Sequence, residues 1–461
     1  MTIKRLLLAA LAATTVLGLP QGLSAYGPCG EDARKFCPGL TPGGGRIAQC
    51  LAGHAQALAP ECRDLLTRAG YLPGLSQAAP AATQLRGDDG EPVPYEYQTA
   101  YNTLQKILDD FTARLKAEPA GPGRPLIFGA ELLAANCNRG TELLNPQAMA
   151  GVIANLEALR GLGVQAVTIP IHYPMLLESF PNSGQYLAFY KQVAAEVRAR
   201  GMKLDIESAI VFANTYFSNL QFDFKKLTFQ RYLAEKKAMV ATIIEELHPD
   251  YLNLGCEPDT EAALTGLSEF NDPAKYTEYV SYVLQGLRRG DTRIAAGVGS
   301  WGNVEFARSL AANTSIDCLA VHVYPVIRQC LDNLEQISAT ARKYHKGLIL
   351  DEAWLSKADQ YLGSGNAGWS ESFRRDVFGF WGPLDRRFLS AMVAFAKAQD
   401  VEYLSPFWTN YFFAYLPYGP DIASLPYKQM RALQAQAAST AMREGRVSPT
   451  GQHYARLIQG Q

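Results

Sequence analysis

Apolar positions along this chain follow distinct rhythms, and the longest stretch of one rhythm predicts most of the fold. From Pro125 onward, short apolar runs rich in β-formers alternate with stretches whose apolar residues recur every three or four positions. That alternation is the mark of parallel strands covered by helices. The runs are LIFGAEL, VQAVTIPI, KLDIESAIV, YLNLGCE, RIAAGVG, CLAVHVY, GLILDEAW and VEYLSPFW. Eight βα units predict an α/β fold of the (β/α)₈ TIM-barrel type. An open doubly wound sheet is the alternative, but no Gly-rich phosphate turn follows the first run. After that run the pattern predicts a helix over 145–160, with Asn145 as cap, Pro146 in the first turn, and Met149, Val152, Ile153, Leu156 and Leu159 as the buried stripe. Upstream, Tyr97, Tyr101, Leu104, Leu108, Phe111 and Leu115 mark an amphipathic helix expected to lean on the barrel.

The N-terminal region reads differently. Lys4 and Arg5 precede an apolar run over 6–19, then Pro20 and the small-residue stretch Leu23-Ser24-Ala25, the layout of a secretory signal peptide cleaved after Ala25. The run is shorter than the roughly 20 residues a bilayer span needs. A retained membrane anchor is the alternative, opposed by the helix-breaking Pro20 and polar Gln21. Export, to the periplasm or beyond the cell, makes disulfides permissible. Cys29, Cys37, Cys50 and Cys62 then lie on two helical stretches, CGEDARKFC and GRIAQCLAGHAQALAPEC, joined by a breaker run over 38–45. Four cysteines allow three pairings, and antiparallel packing favours Cys37 with Cys50 and Cys29 with Cys62. This module resembles a single copy of the cysteine-rich repeat of the Golgi cysteine-rich glycoprotein family, which implies a disulfide fold and says little about activity. His54 within it reads as a surface residue. The expected division is a signal peptide over 1–25, the cysteine-rich hairpin over 26–72, a linker and amphipathic helix over 73–118, and the barrel over 119–461.

Charge narrows the partners. The formal net charge is −1 with acidic and basic residues interspersed, so there is no electrostatic footprint for nucleic acid or an anionic membrane. Cys137, Cys256, Cys318 and Cys330 are far apart and lack the paired spacing of a structural zinc site; they read as buried thiols. Many of the aromatics fall between Trp301 and Tyr427, a candidate sugar-binding surface. No cofactor is implied.

Barrel enzymes carry their reactive groups at the carboxyl ends of strands. Here those positions hold Glu131, His172, Glu207, Glu257, Trp301, His322 with Tyr324, Glu352 and Trp408. Glu257, in NLGCEPDT, and Glu352, in LILDEAW, end hydrophobic strands where an unused charge would be costly. Glycoside cleavage needs one carboxyl group to protonate the leaving oxygen and a second to attack or activate water. At these residues, with HVYP after the sixth run, a tryptophan after the eighth and the closing SPTGQHYARL, the chain resembles the clan A glycoside hydrolases from about Pro125 to its end. The resemblance implies retention of anomeric configuration, with Glu257 as acid/base and Glu352 as nucleophile on a β-linked poly- or oligosaccharide. It implies that Tyr324 hydrogen-bonds the nucleophile, that His322 orients substrate or carboxylate, and that Trp408 floors the subsite of the reacting sugar. Trp301 and Trp354 join the candidate substrate-binding residues. Two departures stand out: Cys256 occupies the position where many members have Asn, and TIPIHYP ends the second run without the Arg that often pairs with the nucleophile, so that His172 would have to substitute. Two other readings follow from the same residues. One is a polysaccharide-binding scaffold with an eroded barrel; the other is a divalent-metal enzyme using His172, Glu257, His322 and Glu352. Finally, the aromatic-rich stretch over 355–383, with Tyr361, Trp369, Phe373, Phe378, Phe380 and Trp381, is expected to shape or partly cover the cleft.

Overall fold

A computed structural model describes residues 29–38, 46–68, 72, 91–117, 123–357 apart from Tyr216 and Val326, and 376–460. The signal peptide, most of the linker and the aromatics Tyr361, Trp369 and Phe373 lie outside the described residues. The chain divides into two compact units, Met1–Ala82 and Thr83–Gln461.

In the first unit, two disulfides join Cys29 to Cys62 and Cys37 to Cys50. The expected two-helix hairpin is instead three short helices, Gly30–Phe36, Arg46–Ala52 and Pro60–Arg68. The second predicted helix breaks after Ala52 because Gly53 and an extended Leu58 interrupt it, and Pro60 restarts it where its missing N–H costs nothing. Asp32 accepts a hydrogen bond from the Ala59 backbone N–H at 2.9 Å, tying the first helix to the restart. Ala33, Leu51, Leu58 and Leu66 complete a small core around the cystines, and His54 is exposed, its ring stacked on Phe36.

The second unit is a parallel eight-stranded (β/α)₈ barrel. Its strands are β1 Ile127–Phe128, β2 Ala166–Pro170, β3 Lys203–Glu207, β4 Tyr251–Asn253, β5 Arg293–Gly297, β6 Cys318–Val323, β7 Gly347–Ala353 and β8 Tyr403–Pro406. They pair in the order β1-β8-β7-β6-β5-β4-β3-β2. A parallel bridge between Glu131 and Thr168 draws β1 towards β2, with the Leu132 N–H donating to the Thr168 carbonyl at 2.9 Å. Strands covered on both faces are apolar nearly throughout, hence the unbroken burial of β2, β4 and β6. Inside the barrel, Ala166, Tyr251, Cys256, Ala295, Cys318, Ala320, Ile349 and Tyr403 pack as one apolar cluster. The four cysteines of this unit are unpaired and buried. Polar groups also meet one another inside the barrel. Thr168 donates to Asp205 at 3.0 Å, and Asn253 donates to Asp351 at 2.5 Å.

The helix predicted over 145–160 begins at Ala148. Asn145 instead accepts from the Gln147 N–H at 2.9 Å, a local turn that competes with the helix start. The amphipathic helix Gln98–Ala117 packs on Gly382–Ala398, with Phe111 stacked on Phe395 at 5.9 Å and Tyr101 on Trp381 at 5.8 Å. This explains a difference in the 355–383 stretch. Phe378, Phe380 and Trp381 are buried in that contact rather than facing a cleft.

Candidate active site

At the carboxyl ends of the strands lies a cavity of about 680 Å³, lined among others by Glu207, Glu257, Glu352, His172, Trp301, Tyr324 and Trp408. β7 supplies Glu352 through an irregularity. The β6 register jumps between Ala320 and His322, so that His322 pairs with Glu352, and the β7 register shifts again between Leu350 and Ala353. Such a bulge re-aims consecutive side chains. Asp351 therefore points into the barrel, held by Asn253, while the adjacent Glu352 turns into the mouth. Glu257 precedes the helix Pro258–Thr265, where Pro258 takes the first helical position.

The two glutamates converge on one imidazole nitrogen. His322 Nδ1 is 2.9 Å from Glu257 Oε1 and 3.7 Å from Glu352 Oε2. The Tyr324 hydroxyl donates to Glu352 Oε1 at 2.5 Å. Behind them, His322 Nε2 faces Glu207 Oε1 at 3.7 Å and Asp351 Oδ1 at 3.9 Å. Glu131, fully buried, accepts from Asn136 Nδ2 at 3.2 Å and does not line the cavity.

These contacts set the electrostatics. Burial opposes charge on His322, but Glu352, Glu207 and the hydrogen bond to Glu257 outweigh it and raise its pKa well above that of a free imidazole. Burial raises the pKa of Glu257, yet the hydrogen bond and charge of His322 more than offset this and hold it below the usual carboxylate range. Burial pushes Glu352 well above that range; His322 pulls it down, and Glu207 and Glu257 push it further up. Glu207 is pushed up to about 7, chiefly by burial. Glu207, His322 and Glu352 also bring one donor atom each within 4.8 Å of one another, as do Cys256, His322 and Asp351. A cation among them would compete with the Tyr324 and Glu257 hydrogen bonds, and a charged imidazole already supplies positive charge there.

Several expected positions differ from their expected surroundings. Trp354 is fully buried, stacked on Tyr411 at 5.7 Å beneath the Lys357 ammonium, and is not among the residues lining the cavity. It packs rather than binds. His322 is buried behind the carboxyls and is not among the residues lining the cavity. His172 lines the cavity, but its nearest carboxylate is Glu207, 3.6 Å from Nε2. It does not stand in for an arginine on Glu352. Cys256 faces the barrel interior, fully buried, and offers nothing to the cavity. Trp301 lines the wall and donates from Nε1 to Asp259 at 3.0 Å. Trp408 has the Arg431 guanidinium 4.0 Å from its ring centroid, a cation–π contact. Sequence reasoning missed Arg431, which lies on the helix Tyr427–Arg443. Glu207, which the sequence offered only as one strand-end position among several, lines the cavity as well.

No family model matches the sequence, and no curated protein is similar to it. Among solved structures, the barrel is similar to an exo-β-1,4-mannosidase from Opitutaceae bacterium strain TAV5, at 17% identity and a TM-score of 0.46, over 73% of this chain and 60% of that one. It is also similar to a GH5_18 protein from Bifidobacterium longum subsp. longum ATCC 55813, at 14% identity and a TM-score of 0.49, over 73% and 79% of the two chains. A third similarity is to a modular endo-β-1,4-mannanase from Cellulomonas fimi, at 12% identity and a TM-score of 0.41, over 76% and 74%. The chain thus spans about 60% of the length of the Opitutaceae protein. These likenesses are remote, and the barrel stands on its own strand order.

Proposed function

We propose that the barrel is a retaining glycoside hydrolase, carried by an exported protein, that cleaves a β-linked poly- or oligosaccharide by double displacement. One observation carries the reading: two strand-end glutamates meet at one imidazole nitrogen on a cavity floor, and a tyrosine hydroxyl donates to only one of them. That asymmetry divides the roles. Tyr324 aims Glu352 as the nucleophile, and His322 serves Glu257 as the acid/base. In the first step Glu352 attacks the anomeric carbon while the glycosidic C–O bond breaks, and the leaving oxygen takes a proton from Glu257. The resting Glu257 favours the anion, so that proton arrives from His322 Nδ1 across their 2.9 Å contact. In the second step ionised Glu257 takes a proton from water, whose oxygen attacks the anomeric carbon and frees Glu352, and Glu257 passes that proton back to His322 Nδ1. Trp301 and Trp408 offer apolar faces suited to a sugar ring.

The test is a screen of cell-wall and storage glycans with the wild-type protein beside Glu352→Gln. The reading expects turnover on at least one glycan, lost in the variant, and product of retained configuration; inverted product would overturn it. Glu257→Ala should lower turnover of unactivated glycans about 10²- to 10⁴-fold while sparing aryl glycosides with good leaving groups. A second reading, binding without turnover, draws on Cys256, which leaves the position before Glu257 without a cavity-facing donor. Glycan binding equal in wild type and Glu352→Gln, with no product, would favour it. Activity abolished by a chelator would favour the metal-enzyme reading instead.

A further inference from the structure

One wall of the cavity carries charge that no step above uses. Lys428 and Arg431 line it from the helix Tyr427–Arg443, which has no acidic residue in its length. The Arg431 guanidinium lies 4.0 Å from the Trp408 ring centroid and donates from Nη1 to the Tyr411 hydroxyl at 2.6 Å. An arginine has about five N–H donors to place, yet among the described residues Arg431 makes no other hydrogen bond and no ion pair. Asp376 acts on it through its charge but does not line the cavity, and burial pushes that carboxyl up to about 7, so near neutrality it is only partly an anion. Arg139, the other arginine of the lining, is paired with Glu142 at 3.2 Å. Half-buried Arg431 thus faces the cavity as a cation without a counter-ion, an arrangement that costs free energy until an anion is supplied.

We propose that Arg431 binds a carboxylate carried by the sugar, so that the glycan this cavity takes contains a uronic acid. The inference rests on the reading of the cavity as a glycan site. A planar guanidinium meets a carboxylate through two parallel N–H···O bonds, a match that a neutral hydroxymethyl group does not offer. The indole of Trp408 on one side and the Tyr411 hydroxyl on the other hold the guanidinium in place before any ligand arrives. A line of rings fixes where the carboxylate sits. Tyr324, which holds Glu352, has its ring 6.4 Å from that of Phe407, and Phe407 is 4.7 Å from Trp408, with Arg431 beyond. The cation therefore stands beside the two glutamates and not on them. The acids Glu207, Glu257, Asp259, Glu261 and Glu352 line the cavity from the ends of β3, β4 and β7 and the helix Pro258–Thr265. An anionic sugar is repelled by that wall and drawn to the other, which selects one orientation of the chain in the cavity.

The test is equilibrium binding to the full-length Glu352→Gln protein, which keeps turnover out of the measurement. The probes are matched pairs of β-1,4-linked tetrasaccharides: mannuronate beside mannose, and glucuronate beside glucose. Within a pair only C6 differs, as carboxylate or hydroxymethyl. At least one uronate should bind about 10- to 100-fold more tightly than its neutral counterpart, and the advantage should shrink as salt is raised. Added to that background, Arg431→Met should remove most of the advantage while changing affinity for the neutral member less than about 3-fold, and Arg431→Lys, which keeps the charge but not the fork, should fall between. Uronates bound no better than neutral sugars would overturn the proposal, and this comparison decides the matter even where Arg431→Met does not fold. So would an Arg431→Met protein that weakens both members alike, because the arginine would then only brace Trp408. Tighter binding of 6-sulfated cellotetraose than of either uronate would overturn the carboxylate assignment. Uronate binding under the control of Arg431 with no glycan turned over by wild type would defeat the hydrolase reading alone. Cleavage of neutral glycans with no preference for uronates would defeat this inference alone.

Discussion

Tyr324 donates a short hydrogen bond to Glu352 from a buried position on the cavity wall, and bonds to charged acceptors contribute roughly 1.5–3 kcal/mol. Tyr324→Phe should therefore lower kcat/KM by about one to two orders of magnitude with little change in melting temperature, measured on whichever glycan the screen identifies. His322→Ala should do more, since it removes the partner of Glu257 and leaves Glu207 and Asp351 facing one another without an intervening imidazole. At this scale the sequence picked out strand-end groups that the structure brings to one cavity, and gave little of what surrounds them. The position of Glu257 and Glu352 was legible because each ends an apolar run, and that of Tyr324 because it follows one in HVYP. Trp354, a candidate for substrate binding, is buried away from the cavity. The bulge at the end of β7 sends consecutive side chains to different places, and no residue type announces a bulge.

Among the elements, the helix Gln98–Ala117 illustrates how periodicity predicts a buried face without predicting its partner. Its stripe meets Gly382–Ala398 and the aromatics just before it. Those same aromatics were expected in the cleft, because an aromatic-rich stretch after the nucleophile strand reads alike whether it binds sugar or packs on a helix. Phe111, with no exposed surface, should cost about 3–5 kcal/mol when changed to Ala, seen as a lower midpoint in denaturant unfolding. Gly297 makes a stricter demand. A Cβ there would lie 1.7 Å from the Ala320 carbonyl oxygen on β6, so Gly297→Ala should force β5 away from β6 and lower the yield of folded protein. The strands themselves were legible from their bounded apolar runs. The break of the second cysteine-bearing helix was not, since Gly53 and Pro60 each have helical uses and only their combination with an extended Leu58 stops it.

For the whole molecule, buried acids govern the response to pH. Burial pushes Glu207 and Asp376 up to about 7 and Glu261 up to about 8. An acid whose pKa is raised by folding contributes stability that is complete below its ordinary pKa and lost as pH rises through the raised one. Lys236, pushed down to about 8 by burial, works in the opposite direction, one group against three. The melting temperature of the barrel should therefore decline as pH climbs from the ordinary carboxylate range, about 4, to 7 to 8 and level off above that, and calorimetry from pH 4 to 9 checks it. Glu207→Gln should flatten part of the decline, because an amide does not ionise.

The distribution of the sulfur atoms has a consequence for how the protein is made. All four paired cysteines come before residue 63, and all four unpaired ones come after residue 136 and end up enclosed by the barrel. Eight thiols released together into an oxidising compartment could join in 105 complete pairings. In a protein exported N-terminus first, as proposed above, that number falls to three, because the first four cysteines can be oxidised before the fifth appears. The later four would then escape oxidation by being buried as the strands close. Refolding the full-length reduced chain should thus give more scrambled product than its synthesis does, and the deficit should shrink when Cys137, Cys256, Cys318 and Cys330 are replaced by Ala or Ser.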